Sequence, residues 1–117
     1  MIYKDFFKEG WRHPVCKKNA HYIIDDFGIV DNEQQIKNTP NSKIIEKVKG
    51  WLLSKMKPSS KRSSFSSYWL KHQAETDMGI YVSNGVMIMA LLKLGYRIYR
   101  VADSKNCYVY GVLNETA

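Results

Sequence analysis

Apolar residues at Ile44, Ile45, Val48, Trp51, Leu52 and Met56 follow an i, i+1, i+4, i+7, i+8, i+12 pattern. That spacing predicts a helix with one buried stripe. Lys43, Glu46, Lys47 and Lys49 fall between these positions, on a solvated face. Thr39-Pro40 marks the start, since threonine can cap and proline is tolerated in the first turn. Pro58 bounds the other end. Gly50 lies inside the helix, where it costs about 1 kcal/mol of propensity relative to alanine. It reads as a point of close packing. Residues 57–67 are rich in serine and show no apolar period, so a flexible polar connector is expected.

A second helix is expected from one of the serines between 64 and 67 to about residue 77. Tyr68, Trp69, Leu70 and Ala74 would supply its buried side, and Gly79 suits the position after its end. Ser83 can cap a third helix that runs to about Leu94 and stops at Gly95. The period then changes. Tyr96, Ile98, Tyr99 and Val101 make one β-rich run and residues 107–112 another, with polar residues 102–106 between them. This predicts a β-hairpin. Upstream, residues 21–24 and 28–30 are short apolar runs around Asp25-Asp26, either a hairpin or one irregular extended segment. Residues 1–20 read as an aromatic and basic arm, with Phe6, Phe7 and Trp11 on one helical face and Pro14 ending it.

The predicted class is α+β: a small winged-helix-like domain with three main helices, a C-terminal β-hairpin and an irregular N-terminal arm. Residues 1–38 would form the arm, packed on a core of residues 39–117. In a winged helix that reads DNA, the third helix must offer polar side chains to base edges. Here residues 84–94 carry only Asn84 and Lys93 as polar groups. Such a helix belongs inside the fold. The alternative is that Met78, Met87 and Met89 form an adaptable patch for a protein partner or a second copy of the chain.

Charge sharpens the picture. Across 117 residues, 18 Lys and Arg face 11 Asp and Glu, for a net +7, which favours an anionic partner. Lys55, Lys57, Lys61 and Arg62 cluster within eight residues among serines, a plausible phosphate-contacting loop. Lys71 and His72 would extend it, and Arg97, Arg100 and Lys105 would load the hairpin. Arg97 and Tyr99 are expected to share a face opposite Ile98. These basic residues can track a DNA or RNA backbone without a sequence-reading helix. Asp25, Asp26, Asp31 and Glu33 form an acidic patch, read chiefly as a solvated loop.

Catalytic chemistry is not expected. No Gly-rich phosphate loop, nucleophile elbow or HExxH pattern is present. His72 and Glu75 are i, i+3 neighbours, too weak a signal for a catalytic dyad. His13, Cys16, His21 and Cys107 include zinc-ligand types, but without paired ligand spacing, so neither metal nor cofactor is predicted. The two cysteines suit reduced thiols. The opening residues lack an export pattern, and the longest apolar run, residues 86–92, is far short of the roughly 20 that span a bilayer. A cytoplasmic, non-membrane protein is expected.

The stretch Ser66-Ser67-Tyr68-Trp69-Leu70-Lys71-His72 with Glu75, then Tyr81-Val82-Ser83-Asn84-Gly85 and Leu94-Gly95-Tyr96, resembles a segment in small proteins of phages and mobile elements of low-GC Gram-positive bacteria. The resemblance spans about residues 40–112. It implies replication, regulation or host takeover, including inhibitors of host defence of the anti-CRISPR type. The partner implied is a host protein or ribonucleoprotein, with a Cas nuclease as the candidate. The alternative is a winged-helix DNA-binding regulator or replication accessory that holds the phosphate backbone.

Overall fold

The computed structural model describes residues 2–3, 22–100 and 102–114. The expected arm helix and the residues His13, Cys16 and His21 lie outside them. Helix α1 spans Ser42–Lys55, with Ile45, Val48 and Leu52 buried. Its cap is Asn41 rather than Thr39: Asn41 Oδ1 accepts from the N–H groups of Lys43 at 2.9 Å and Ile44 at 3.1 Å. Asparagine is the stronger capping residue of the two. Gly50 is exposed, and a Cβ there would meet nothing within 4 Å, so close packing does not explain it.

The expected flexible connector is instead a strand, β4, over Met56–Ser66. It pairs antiparallel with β6 (Cys107–Leu113) at Met56–Leu113, Lys57–Val112, Pro58–Gly111, Arg62–Tyr110 and Ser66–Tyr108. The register shifts between Pro58 and Arg62 and again between Arg62 and Ser66. Bulged residues erase the two-residue alternation that would have marked a strand. β5 (Ile98–Arg100) pairs antiparallel with the other side of β6, giving the order β4-β6-β5.

Helix α2 spans Ser67–Met78; Ser66 caps it and Gly79, at φ +69°, ends it. Leu70 and Ala74 are buried, whereas Tyr68 and Trp69 are exposed, against expectation. The buried face is set by Ser67, Leu70, Lys71 and Ala74 at helical spacing, which turns positions 68 and 69 outward. Helix α3 spans Asn84–Lys93 and is capped by Ser83, whose Oγ accepts from the Val86 N–H at 3.0 Å. Every residue from Asn84 to Leu92 is buried. Met87 and Met89 are core residues, so the methionine patch and the dimer contact built on it lose their surface.

A second antiparallel sheet has the order β1-β2-β3, formed by Ile2–Tyr3, Tyr22–Asp25 and Gly28–Val30. The two apolar runs therefore pair, through a two-residue turn at Asp26-Phe27. Asp25 makes this turn. It is fully buried and accepts from the N–H groups of Phe27 at 2.8 Å, Gly28 at 3.2 Å and Lys37 at 3.4 Å. Asp26 Oδ1 accepts from Ser83 Oγ at 2.6 Å. Half of the acidic patch is thus not a solvated loop: Asp25 builds the turn and Asp26 ties it to the start of α3, whereas Asp31 and Glu33 are exposed.

The described residues form a small α+β domain of three α-helices and two small antiparallel sheets. α3 lies against α1, α2, β2 and β3, and the inner face of the larger sheet adds Met56, Ile98, Cys107 and Val109 to one core. Among the described residues, no helix is long and apolar enough to cross a membrane.

Candidate nucleic-acid interface

Strand β6 alternates. Cys107, Val109 and Gly111 are buried, so Tyr108, Tyr110 and Val112 point to the other face of the sheet. Residues directly opposite in antiparallel strands share a face, so the register organises that surface into rows. Lys57 lies beside Val112. Arg62 lies beside Tyr110, whose N–H donates to the Arg97 carbonyl at 2.9 Å on the far side. Ser66, Tyr108 and Tyr99 form the third row. Rows two residues apart are separated by about 7 Å.

Arginines cover the rings. The Arg97 guanidinium sits 4.4 Å from the Tyr110 ring centre. The Arg62 guanidinium sits 4.9 Å from the Tyr99 ring centre and 5.4 Å from that of Tyr108. These are cation–π distances. Tyr99 keeps 44% of its surface exposed. Ile98 points inward and Arg97 and Tyr99 outward, as their alternation predicts. The face therefore offers flat aromatic surfaces, guanidinium planes that also stack, and fixed positive charge.

The structure divides the eight basic residues singled out from sequence. Lys57, Arg62 and Arg97 belong to the sheet face, and Lys61 is exposed in the first bulge of β4. The other four do not join them. Lys55, at the end of α1, pairs with Asp77 at 3.4 Å. Lys71 does not extend the basic loop: it is buried on α2 and pairs with Glu75 at 3.3 Å. Arg100 is a clamp, donating to Asp31 at 2.9 Å, to the Ser104 carbonyl at 2.8 Å and to the Asp103 carbonyl at 3.3 Å. Lys105 lies in the β5–β6 turn with its ammonium 5.9 Å from the Phe27 ring centre.

Two residues of the face, Tyr108 and Tyr110, escape the sequence reading. Their signal was the alternation Cys-Tyr-Val-Tyr-Gly-Val over 107–112, in which every second residue is a tyrosine or valine pointing outward.

His72 Nδ1 lies 3.2 Å from Glu75 Oε1, and its ring meets Tyr68 edge-on. Glu75 serves the fold: its Oε2 accepts from the Val82 N–H at 3.1 Å. Burial pushes the Glu75 carboxyl up, but the Val82 hydrogen bond and the Lys71 ammonium outweigh it and hold the group below its ordinary value. Cys107 is fully buried, and loss of solvent pushes its thiol up to about 12, far from a reactive thiolate. Among the described residues, no group of three or more His, Cys, Asp or Glu is placed to hold a metal. No family model, curated protein or solved structure matches the chain.

Proposed function

We propose that this chain is a non-catalytic binding protein that grips single-stranded nucleic acid, free or within a nucleoprotein, on the outward face of the β4-β6-β5 sheet. The observation that carries this reading is the array of Tyr99, Tyr108 and Tyr110 interleaved with Arg62 and Arg97. Unpaired bases stack on aromatic rings and guanidinium planes, while lysine and arginine neutralise phosphates. A duplex hides its base faces and gains only the charge term. The winged-helix alternative keeps backbone contact alone, because a buried α3 has no side chains for a groove.

The setting proposed is the one the resemblance implies: a phage or mobile-element inhibitor in the host cytoplasm, acting on a nucleoprotein, with a Cas nuclease complex as the candidate target. The test is fluorescence anisotropy with a short labelled single strand and its duplex, at about 50 and about 200 mM salt. The strand is expected to bind more tightly than the duplex. Tyr108→Ala should cost about 1–3 kcal/mol, or roughly 5- to 150-fold in affinity. Joint charge reversal at Lys57, Lys61 and Arg62 should weaken binding and flatten its salt dependence, with the fold intact by circular dichroism. Equal binding of strand and duplex, or indifference to Tyr108→Ala, would reject the stacking surface. Capture of a purified Cas9–guide complex, lost in the same charge-reversed variant, would support the proposed setting; no capture would remove that target.

A further inference from the structure

A cleft of about 420 Å³ opens where four segments meet. They are the β2–β3 turn, the start of α2, the residues leading into α3 and the β5–β6 turn. Three aromatic rings line it, from Phe27, Tyr68 and Tyr81, together with the ammonium groups of Lys71 and Lys105. Phe27 is 51% and Tyr81 70% exposed, far more than rings of this size usually show beside a core.

The walls are held in place by one buried amide. Asn84 Nδ2 lies within hydrogen-bond distance of the Phe27 carbonyl at 3.0 Å, the Lys105 carbonyl at 3.1 Å and Asn106 Oδ1 at 2.9 Å. Asn84 Oδ1 accepts from Ser67 Oγ at 2.9 Å. Both turns and both helix starts are thereby tied to a single side chain, so the cleft exists before anything enters it. Preformed walls spare a ligand the cost of ordering them.

Lys71 gives the cleft its chemistry. The residue is only 8% exposed, yet its ammonium lies between two rings, 5.4 Å from Tyr68 and 5.1 Å from Tyr81. Glu75 takes one of its three N–H donors, and among the described residues no other side chain accepts from it. Glu75 is itself shared with Val82 and His72. Lys105 adds a second positive charge at the rim. One carboxylate, Asp26, also lines the cleft, with one oxygen engaged by Ser83. Within the lining, Lys71 and Lys105 face a single carboxylate, Asp26, while Glu75, which pairs with Lys71, lies outside it. Lys105 and the remaining Lys71 donors, among three rings, favour a ligand with a flat aromatic part and an anionic end.

We infer that this cleft is a binding site for a single nucleotide, its base stacked against Phe27 and Tyr81 and its phosphate held by Lys71 and Lys105. The volume falls within the roughly 300–1,000 Å³ of small-molecule sites. The site shares no lining residue with the tyrosine and arginine face and stands without it. The nucleotide comes either from solution or from an unstacked position in a strand.

The experiment is calorimetric titration of the full chain with each of the four nucleoside 5′-monophosphates, with adenosine and with inorganic phosphate. At least one monophosphate is expected to saturate, and adenosine and phosphate alone should bind at least about tenfold more weakly than it, a difference of about 1.4 kcal/mol. Tyr81→Ala and Lys105→Ala should each weaken that monophosphate several-fold without lowering the melting temperature, since both side chains are exposed. Lys71→Met should remove binding; if it fails to fold, the two exposed variants carry the test. Tyr108→Ala should leave monophosphate binding unchanged, which separates this cleft from the sheet face. If Tyr81→Ala also weakens a single strand, the strand is the source; if only the monophosphate is affected, the free nucleotide is. No saturation by any of the four, binding of adenosine or phosphate as tight as the monophosphate, or indifference to both exposed variants would overturn the inference.

Discussion

Two glycines inside helices should respond to alanine with opposite signs. Gly50 lies on the solvated side of α1, where a Cβ meets nothing within 4 Å. Gly50→Ala removes chain entropy from the unfolded state and adds helix propensity, worth about 1 kcal/mol. Gly85 lies in the first turn of α3, and a Cβ there would press on the carbonyl oxygen of Asp25 and come within 2.9 Å of backbone carbons of Asp25 and Asp26. That backbone cannot swing away. Three N–H groups hold the Asp25 carboxylate, the Asp26 N–H donates to Asn38 at 2.7 Å, and the Asp26 carbonyl accepts from Gly85 itself at 3.1 Å. Forcing a methyl group into such a contact costs about 1–3 kcal/mol, and a clash with fixed backbone belongs at the top of that range. Subtracting a propensity gain of at most about 1 kcal/mol leaves a loss of about 2 kcal/mol. At roughly 4 °C per kcal/mol for a domain of this size, Gly50→Ala should melt about 4 °C higher and Gly85→Ala about 8 °C lower. Thermal melts followed by far-UV circular dichroism decide it. Shifts of the same sign in both variants would refute the reasoning, because then propensity and not packing would govern both sites.

Arg100 and Arg97 should separate stability from binding. Arg100→Ala strips charged hydrogen bonds from the Ser104 and Asp103 carbonyls and from Asp31, and should lower stability by about 1–3 kcal/mol in a urea titration. Arg97→Ala should leave the urea midpoint nearly unchanged and weaken strand binding, since its ring contact lies on the outward face. The reverse pattern would place the interface around Arg100 instead. Acid should act through Glu75. Its folded value is held down, so the stability it contributes is complete above the ordinary value of 4.5 and is lost as the pH falls below that through the depressed folded value. Glu75→Gln should therefore flatten the fall in melting temperature across that acidic range; an unaltered fall would mean that other carboxylates govern it.

Helix starts and stops were readable because they depend on near neighbours. Ser83 and Gly79 act where expected, and the stripe of Ile45, Val48 and Leu52 is buried. The burial of α3 followed from its composition alone, since a helix apolar on all sides has only the interior to occupy. The errors fall where a distant partner decides. Tyr68 and Trp69 looked like core but point outward, because the neighbours of α2 lie against Leu70 and Ala74. Lys71 and Arg100 looked like extensions of one basic surface, yet contacts with Glu75 and Asp31 hold them away from the sheet face.

What residues 1–117 determined by themselves is the local grammar: the three main helices, the caps of the second and third, the turn residues and a basic surplus. Only the tertiary structure decided that residues 56–66 are a strand, because a strand's hydrogen bonds come from another segment and its bulges left no period to read. The same pairing set Tyr99, Tyr108, Tyr110, Arg62 and Arg97 on one face, and packing gathered Phe27, Lys71, Tyr81 and Lys105 around Asn84. Both surfaces join side chains from segments far apart in the chain, and a spacing rule reaches only a few residues. Their chemistry was written in the sequence; their proximity was not.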